Sequence, residues 1–382
     1  MNTTLSAIEK VLDKIPTPCY VCEEELLENN LKILDYVQQK SGAKILLALK
    51  GFAFYRTFDL IKKYLYGCSA SGLYEAMLAD EEMGKEIHTY SPAFKEKEIG
   101  AIAEISDHII FNSFSQWQKY KDIAMPLASC GIRVNPEVSS SPTDLYNPCA
   151  PFSRLGVTKK EFREDLLDGI EGLHFHALCE QNADALEKVL EGFEEKFAHL
   201  IPRMKWINMG GGHLITSPEY DVEKLINIIK DFKKRYNDID VYLEPGEAIG
   251  RNTGVLVASV LDIVHNQMDI AILDTSAEAH MPDTIIMPYR PEVRGAGKPG
   301  EKKYTYRLAG NTCLAGDVMG DYSFDEPLKP GDKIIFEDQM HYTIVKNTTF
   351  NGIKLPSLAI LNKEGEFNII KEFGYVHYKR RL

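Results

Sequence analysis

An amine, an imidazole, a run of glycines and a carboxylate stand at or near the ends of separate β-rich runs: Lys50 closes KILLALK, His176 lies in GLHFHAL, Gly210, Gly211 and Gly212 follow WINM, and Glu244 closes DVYLE. Each suits one part of a shared chemistry. The apolar run ILLAL leads to Lys50. Desolvation there lowers an amine from its reference pKa of about 10.4, giving a neutral nucleophile that attacks an aldehyde. Successive glycines let backbone N–H groups approach an anion such as phosphate. A carboxylate at Glu244 is costly to bury without a cation, and a protonated pyridine nitrogen supplies one. His176 offers a flat ring to stack on a cofactor. Taken singly, each has a plainer reading: Lys50 as a surface lysine opening a loop, the glycines as a turn, His174 as a packed core histidine. His174 and His176 also form an H-x-H pair of the kind that holds zinc in barrel hydrolases. No further metal-ligand cluster is obvious beside them, and no metal is expected.

Positioning these groups requires a scaffold that gathers strand ends. From about residue 23 to 250 short β-rich runs alternate with amphipathic patterns, which argues for parallel strands joined by helical crossovers. Eight strand candidates can be counted, Lys44–Lys50, Tyr66–Ser71, Glu86–Ser91, His108–Asn112, Gly131–Pro136, Gly172–Leu178, Trp206–Gly210 and Asp240–Glu244, and eight parallel strands close a (β/α)8 barrel. Between them Leu73–Met83, Ala183–Leu200 and Val222–Tyr236 repeat apolar residues at three- and four-residue spacing, as helices of an outer ring do. In such barrels the active site lies at the C-terminal strand ends, with phosphate sites in the loops after strands seven and eight. Lysine, histidine, glycines and glutamate fall on strands one, six, seven and eight in that order. The long polar loop after the fifth strand, EVSSSPTDLYNPCAPFSRLG, has the length of a functional loop.

After about Thr253 the texture changes to β-branched runs separated by turns: VLVASVLDIV, MDIAILDTS, KKYTYRLAG, DKIIFED, HYTIVK and LAILNKEG. This reads as a second, C-terminal antiparallel β-domain, joined by the strand-like Cys19–Cys22 segment. The expected division is a barrel over 23–252 and a β-domain built from 1–22 and 253–382. A length of 382 residues supports two cores. The formal net charge of −12, with no Lys/Arg-rich run, argues against nucleic acid and anionic membranes as partners. The N-terminal MNTTLSAIEKVLDK has no apolar segment typical of a signal peptide, and seven scattered cysteines do not form a disulfide framework, so a cytoplasmic protein with reduced thiols is expected.

Across nearly its whole length the chain resembles the fold-type III, alanine-racemase-like family of pyridoxal-phosphate decarboxylases, which includes ornithine and diaminopimelate decarboxylases. The likeness is carried by LALKGF, YNPCAPFSRLG, HFHALCE, NMGGGH, LEPGEA, LDTSAEAHMPD and GNTCLAGD. It implies that pyridoxal 5'-phosphate is the cofactor, bound through Lys50, with His176 stacked on its ring, Gly210 to Gly212 at its phosphate and Glu244 at its ring nitrogen. Tyr342 resembles the tyrosine whose hydroxyl reaches the phosphate, and Arg154 sits where relatives carry a basic residue near the cofactor. Cys313 and Asp317, in TCLAGD, resemble a segment that reaches the site of a partner subunit, which implies a homodimer with shared sites and offers Cys313 as an acid. Relatives read EPGR where this chain has Glu247 in EPGE. With Asp274, Asp283 and Asp317, Glu247 makes a carboxylate set suited to the amines of a polycationic substrate such as a carboxylated polyamine. Another basic amino-acid decarboxylase of this fold, or a non-catalytic relative carrying the cofactor, is the alternative.

Overall fold

Runs of buried β-branched and aliphatic residues, each followed by an amphipathic segment, produce a closed parallel barrel. The computed structural model describes residues 6–141 and 143–382; the first five residues of the N-terminal segment and Pro142 of the long loop lie outside the described residues. One compact unit spans Asn29–Ile249, and a second combines the described residues through Glu28 with Gly250–Leu382. Strand β1 (Cys19–Glu23) belongs to the second unit. Strands β2 (Lys44–Ala48), β3 (Gly67–Ala70), β4 (Glu86–Tyr90), β5 (His108–Phe111), β6 (Ser129–Arg133), β7 (Ile170–His174), β8 (Trp206–Asn208) and β9 (Asp240–Leu243) form the barrel in chain order, and β9 closes it on β2. All eight expected strands are present. The strands stop earlier than expected: Lys50, His176, Gly210 and Glu244 stand just past β2, β7, β8 and β9, in the connections where the backbone leaves the ladder.

The outer helices follow the apolar spacing. Ala183–Phe197 buries Leu186, Val189, Leu190 and Phe193, and Val222–Arg235 buries Leu225, Ile226, Ile229 and Phe232. Asp221 caps the latter by accepting from the Lys224 N–H at 2.9 Å. The expected helix Leu73–Met83 is α-helical only to Leu78 and finishes in a wider π turn over Ala79–Met83.

Trp206 fills the barrel interior because two glycines make room for it. A Cβ on Gly131 would lie 2.3 Å from the indole and one on Gly172 2.1 Å from it. The indole N–H donates to Ser129 Oγ at 2.9 Å. Gly172→Ala therefore forces the ring to move in a close-packed core and is expected to lower stability by about 1–3 kcal/mol. Urea unfolding of the two proteins checks this, and an unchanged midpoint would mean that the interior is looser than described.

The second unit is a sheet in the order β13-β12-β11-β10-β1-β15-β16 with β14 also on β10. Its remaining strands are β10 (Gly254–Asn266), β11 (Met268–Leu273), β12 (Tyr304–Ala309), β13 (Val318–Phe324), β14 (Lys333–Phe336), β15 (Ser357–Leu361) and β16 (Phe367–Lys371). Antiparallel pairs predominate, as expected, but β1–β15 and β11–β12 are parallel. The chain makes a long excursion between the members of each parallel pair, which lets the second strand return in the same direction. Cys19–Cys22 does enter this sheet, between β10 and β15. Burial pushes the Cys19 thiol up to about 12, so it behaves as a core hydrophobe. HYTIVK is not a strand; Thr343–Val345 forms a 3-10 turn. No helix among the described residues is long and apolar enough to cross a membrane.

Candidate active site

The ends of β2 and β9 are held backbone to backbone. The Ala48 N–H donates to Pro245 O at 3.1 Å, and a Cβ on Gly51 would come within 2.9 Å of Gly246 Cα. These glycines permit the approach that sets Lys50 and Glu244 at the same rim. Lys50 lies deep in the protein, yet its side chain keeps open surface. Open space beside it, inside the barrel mouth, reconciles the two. Burial, reinforced by the Arg133 guanidinium, lowers the Lys50 pKa against the opposing pull of Glu244 and Glu75. The amine is thus driven toward its nucleophilic form.

Glu244 is buried, and burial alone would raise its carboxyl pKa. Interaction with His174, the charge of His88 and the amide of Asn208 overcome this and hold it down to about 2. Asn208 Nδ2 donates to Glu244 Oε1 at 2.7 Å, whereas His174 Nε2 stands 3.5 Å from Oε2. That distance is long for a hydrogen bond, so Asn208 is the firmer partner. His176 is kept neutral: burial, then Lys50 and Arg133, lower its pKa well below the usual imidazole value. Its Nδ1 accepts from the Gly211 N–H at 2.9 Å, which places the ring proton on Nε2 and fixes the plane of the ring.

The glycine run needs correction in detail. Gly210 and Gly212 take φ of +72° and +84°, and a Cβ on Gly211 would meet Glu244 O at 2.1 Å, so close packing against the ends of β7 and β9 by itself demands glycine here. The Gly210 N–H donates to Asn208 Oδ1 at 2.9 Å and the Gly211 N–H to His176. Two of the three amides expected at an anion are therefore committed to side chains. Among the described residues the Gly212 N–H has no acceptor, which leaves it able to meet an anion.

Arg154 stands at the rim with an exposed side chain, and its carbonyl accepts from Asn112 Nδ2 at 2.8 Å. The arginine that faces the site is Arg133, on β6: it lies 4.7 Å over the Tyr90 ring and its Nη2 donates to His176 O at 3.0 Å. Sequence reasoning missed Arg133, Tyr90 and Asn208. A charged residue inside an otherwise apolar strand, as in GIRV, was the available signal. Glu247 opens the short helix Glu247–Gly250 just past β9 and is half-buried.

In the second unit, Asp283 accepts from Lys346 Nζ at 2.8 Å on both oxygens, and that ammonium sits 5.1 Å over the Tyr342 ring. Tyr342 is held at φ +43°, a conformation that non-glycine residues adopt only when their surroundings compel it. Cys313 is exposed on the loop before β13, its N–H bound to Asn351 Oδ1 at 2.8 Å. Asp274 accepts from the Ser259 N–H at 2.8 Å, joining β10 to the end of β11. Asp317 does not offer a carboxylate to a substrate. It is buried and accepts from Ala277 N–H at 2.7 Å, Thr312 N–H at 3.2 Å and Thr312 Oγ1 at 2.6 Å, clamping its loop to the helix Ala277–His280.

One metal-like cluster occurs among the described residues: the donor atoms of Glu86, His88 and His108 lie within 4.8 Å of one another. They stand on the early residues of β4 and β5, at the opposite end of the barrel from Lys50. The two imidazoles stack at 4.0 Å and 21°, which sets their nitrogen lone pairs side by side rather than converging. Glu86 already pairs with His88 Nε2 at 2.8 Å. The cluster is a polar plug of the barrel floor. The rim, by contrast, combines open space beside an amine of lowered pKa, a fixed imidazole plane, an uncommitted amide and a buried ionised carboxylate. Those are the features that a phosphorylated ring aldehyde with a basic nitrogen requires.

A family model described as pyridoxal-dependent decarboxylase, C-terminal sheet domain, matches residues 19–339. The chain is 57% identical over 380 residues to the carboxynorspermidine/carboxyspermidine decarboxylase of Campylobacter jejuni, covering 97% of this chain and 99% of that protein. It is 47% identical over 373 residues to the carboxyaminopropylagmatine decarboxylase of Synechocystis, covering 97% and 96%. The crystal structure of the C. jejuni carboxynorspermidine decarboxylase complexed with norspermidine superposes with a TM-score of 0.91 at 55% identity, over 96% of this chain and all of that one. Diaminopimelate decarboxylase of Helicobacter pylori shares the fold at a TM-score of 0.82 and 18% identity, over 98% of both chains.

Proposed function

The chain belongs to the pyridoxal-dependent decarboxylases, and from that premise we propose that it decarboxylates carboxynorspermidine, carboxyspermidine or both, in polyamine biosynthesis. The observation that carries the reading is the Lys50 amine, its pKa lowered by burial, set at one rim with a buried, ionised Glu244. Lys50, His176, Gly212, Glu244 and Tyr342 would hold pyridoxal 5'-phosphate, with Arg133 behind His176. When bound, the cofactor supplies the electron sink for the pair released as the Cα–carboxylate bond breaks.

The protein's own groups do the rest. Lys50, its pKa lowered by burial, would hold the cofactor at its aldehyde carbon, and once the substrate's amine takes its place there the released lysine amine would be free to carry a proton. Glu244, anionic at neutral pH, keeps the ring nitrogen protonated. His176 presents a face whose orientation Gly211 fixes. Cys313, from the partner subunit of a homodimer, delivers a proton to Cα. Glu247 attracts an amine of the substrate, Asp283 would take one in exchange for the Lys346 ammonium that it holds, and Asp274 contributes its field. A carboxylate at Glu247, just past β9, favours a polycation over a substrate with a distal carboxylate. The enzyme works in the cytoplasm.

Product analysis tests this. The holoenzyme is incubated with carboxynorspermidine, carboxyspermidine, carboxyaminopropylagmatine and meso-diaminopimelate, and carbon dioxide and amine products are measured. Release from the first two and none from diaminopimelate is expected; preference for diaminopimelate would overturn the reading. The Synechocystis relative makes the third compound a second reading, which the same experiment separates. Substrates that differ by one methylene should differ in kcat/KM by only about 10–200-fold.

A further inference from the structure

Glu244 has one side chain aimed at each of its oxygens, both from neighbouring strands of the barrel. Asn208, at the end of β8, is fully buried, and His174, at the end of β7, nearly so. We propose that Asn208 and His174 are positioning residues that bracket Glu244 and hold it in place and ionised for a cationic ring nitrogen, with Asn208 also tying that end of the site to the glycine turn. This rests on the function proposed above.

The orientation of the Asn208 amide follows from its partners. The Gly210 N–H needs an acceptor and finds Asn208 Oδ1 at 2.9 Å, so Nδ2 must face Glu244 Oε1, at 2.7 Å. A flipped amide would set donor against donor at one end and two acceptors at the other. One side chain therefore sets both the glycine turn, where a phosphate would sit, and the carboxylate, where the ring nitrogen would sit.

His174 closes the other side. Its Nε2 is 3.5 Å from Glu244 Oε2, and neither ring nitrogen makes a hydrogen bond. A buried imidazole without a full partner is costly unless a ligand tightens its contact. Burial, then Arg133 and Lys50, lower its pKa, and the contact with Glu244 and the charge of that carboxylate oppose them. The charged and titratable groups around the pair are Lys50, Arg133, His88, Tyr90 and His176.

Two substitutions at one position separate bracketing from packing. Asn208→Asp keeps the acceptor for the Gly210 N–H and the size of the side chain, but sets a second carboxylate against Glu244. Asn208→Leu removes both contacts. If Asn208 merely supported the turn, Asn208→Asp would bind cofactor as the parent does and only Asn208→Leu would fail. Bracketing predicts that Asn208→Asp weakens pyridoxal 5'-phosphate binding to the stripped protein by about tenfold or more, since adjacent carboxylates cannot both ionise. It also predicts that the absorbance of the bound cofactor, steady with pH in the parent near neutrality, becomes pH-dependent. His174→Phe keeps the ring shape and should move both readouts in the same direction by a smaller factor. A folded Asn208→Asp protein with parental affinity and spectrum overturns the proposal. Should that variant not fold, His174→Phe decides: unchanged affinity and spectrum overturn it. Lys50→Ala run in parallel keeps the functional reading separate, because an unaltered cofactor absorbance there sinks the function, whatever Asn208 does.

Discussion

Lys50→Ala is expected to abolish both decarboxylation and the absorbance that a lysine-linked cofactor gives, leaving at most that of the free aldehyde. The backbone around the residue is fixed without its side chain: the Leu49 N–H donates to Ser69 O at 3.0 Å and the Gly51 N–H to Ala48 O at 3.0 Å. Alanine should therefore leave the turn intact and remove only the amine. No other residue gathered at the rim replaces this amine, since Arg133 carries a guanidinium that does not deprotonate. The loss in kcat should reach at least about a thousandfold, or about 4 kcal/mol of barrier. Lys50→Arg should be equally inactive for the same reason. Absorbance spectra near neutral pH and carbon dioxide release with carboxynorspermidine check both statements. A spectrum matching the parent's would show that another residue binds the aldehyde.

Glu244→Gln should still take up the cofactor at Lys50, though more weakly than the parent, and lose about a hundredfold or more in kcat, which corresponds to about 3 kcal/mol. Glutamine keeps an acceptor for Asn208 Nδ2, so the geometry survives. It no longer carries the negative charge that makes protonation of a ring nitrogen favourable. The pH behaviour carries a sign. A carboxyl held at about 2 lies below the ordinary glutamate value and stays ionised until the medium is strongly acidic. Its charge is fully present at neutral pH and is lost only as pH falls toward 2. Any acidic limb of activity near neutral pH should therefore persist unchanged in Glu244→Gln, because it belongs to another group. Disappearance of that limb in the variant would mean that Glu244 titrates far above its folded value, and that the bracket of Asn208 and His174 does not hold.

The local signals in the chain were informative about elements and less so about partners. Strand runs such as KILLALK and HIIFN, and the apolar stripe of VEKLINIIKDFKKRY, declare themselves because periodicity is a property of neighbours in sequence. The Lys50, His176 and Glu244 positions were legible because each directly follows such a run. HYTIVK shows the limit: its β-branched residues read as a strand, but the backbone enters a tight turn at Tyr342, where packing overrides propensity.

What the sequence by itself determined was the alternation that closes a parallel barrel, the β-rich character of the second unit and the chemical types waiting at the strand ends. Those depend on spacing and side-chain identity alone. Only the tertiary structure decided which groups spend their hydrogen bonds on one another. Asn208 takes up the Gly210 amide and Glu244, His176 takes up the Gly211 amide, and Asp317 is consumed by its own loop, while Arg133 rather than Arg154 reaches His176. Several of these pairs join residues well separated along the chain, and each is set by the geometry of folded connections. Within a buried site every donor and acceptor must be matched, so the assignment of partners is a property of the closed fold and has no local signature.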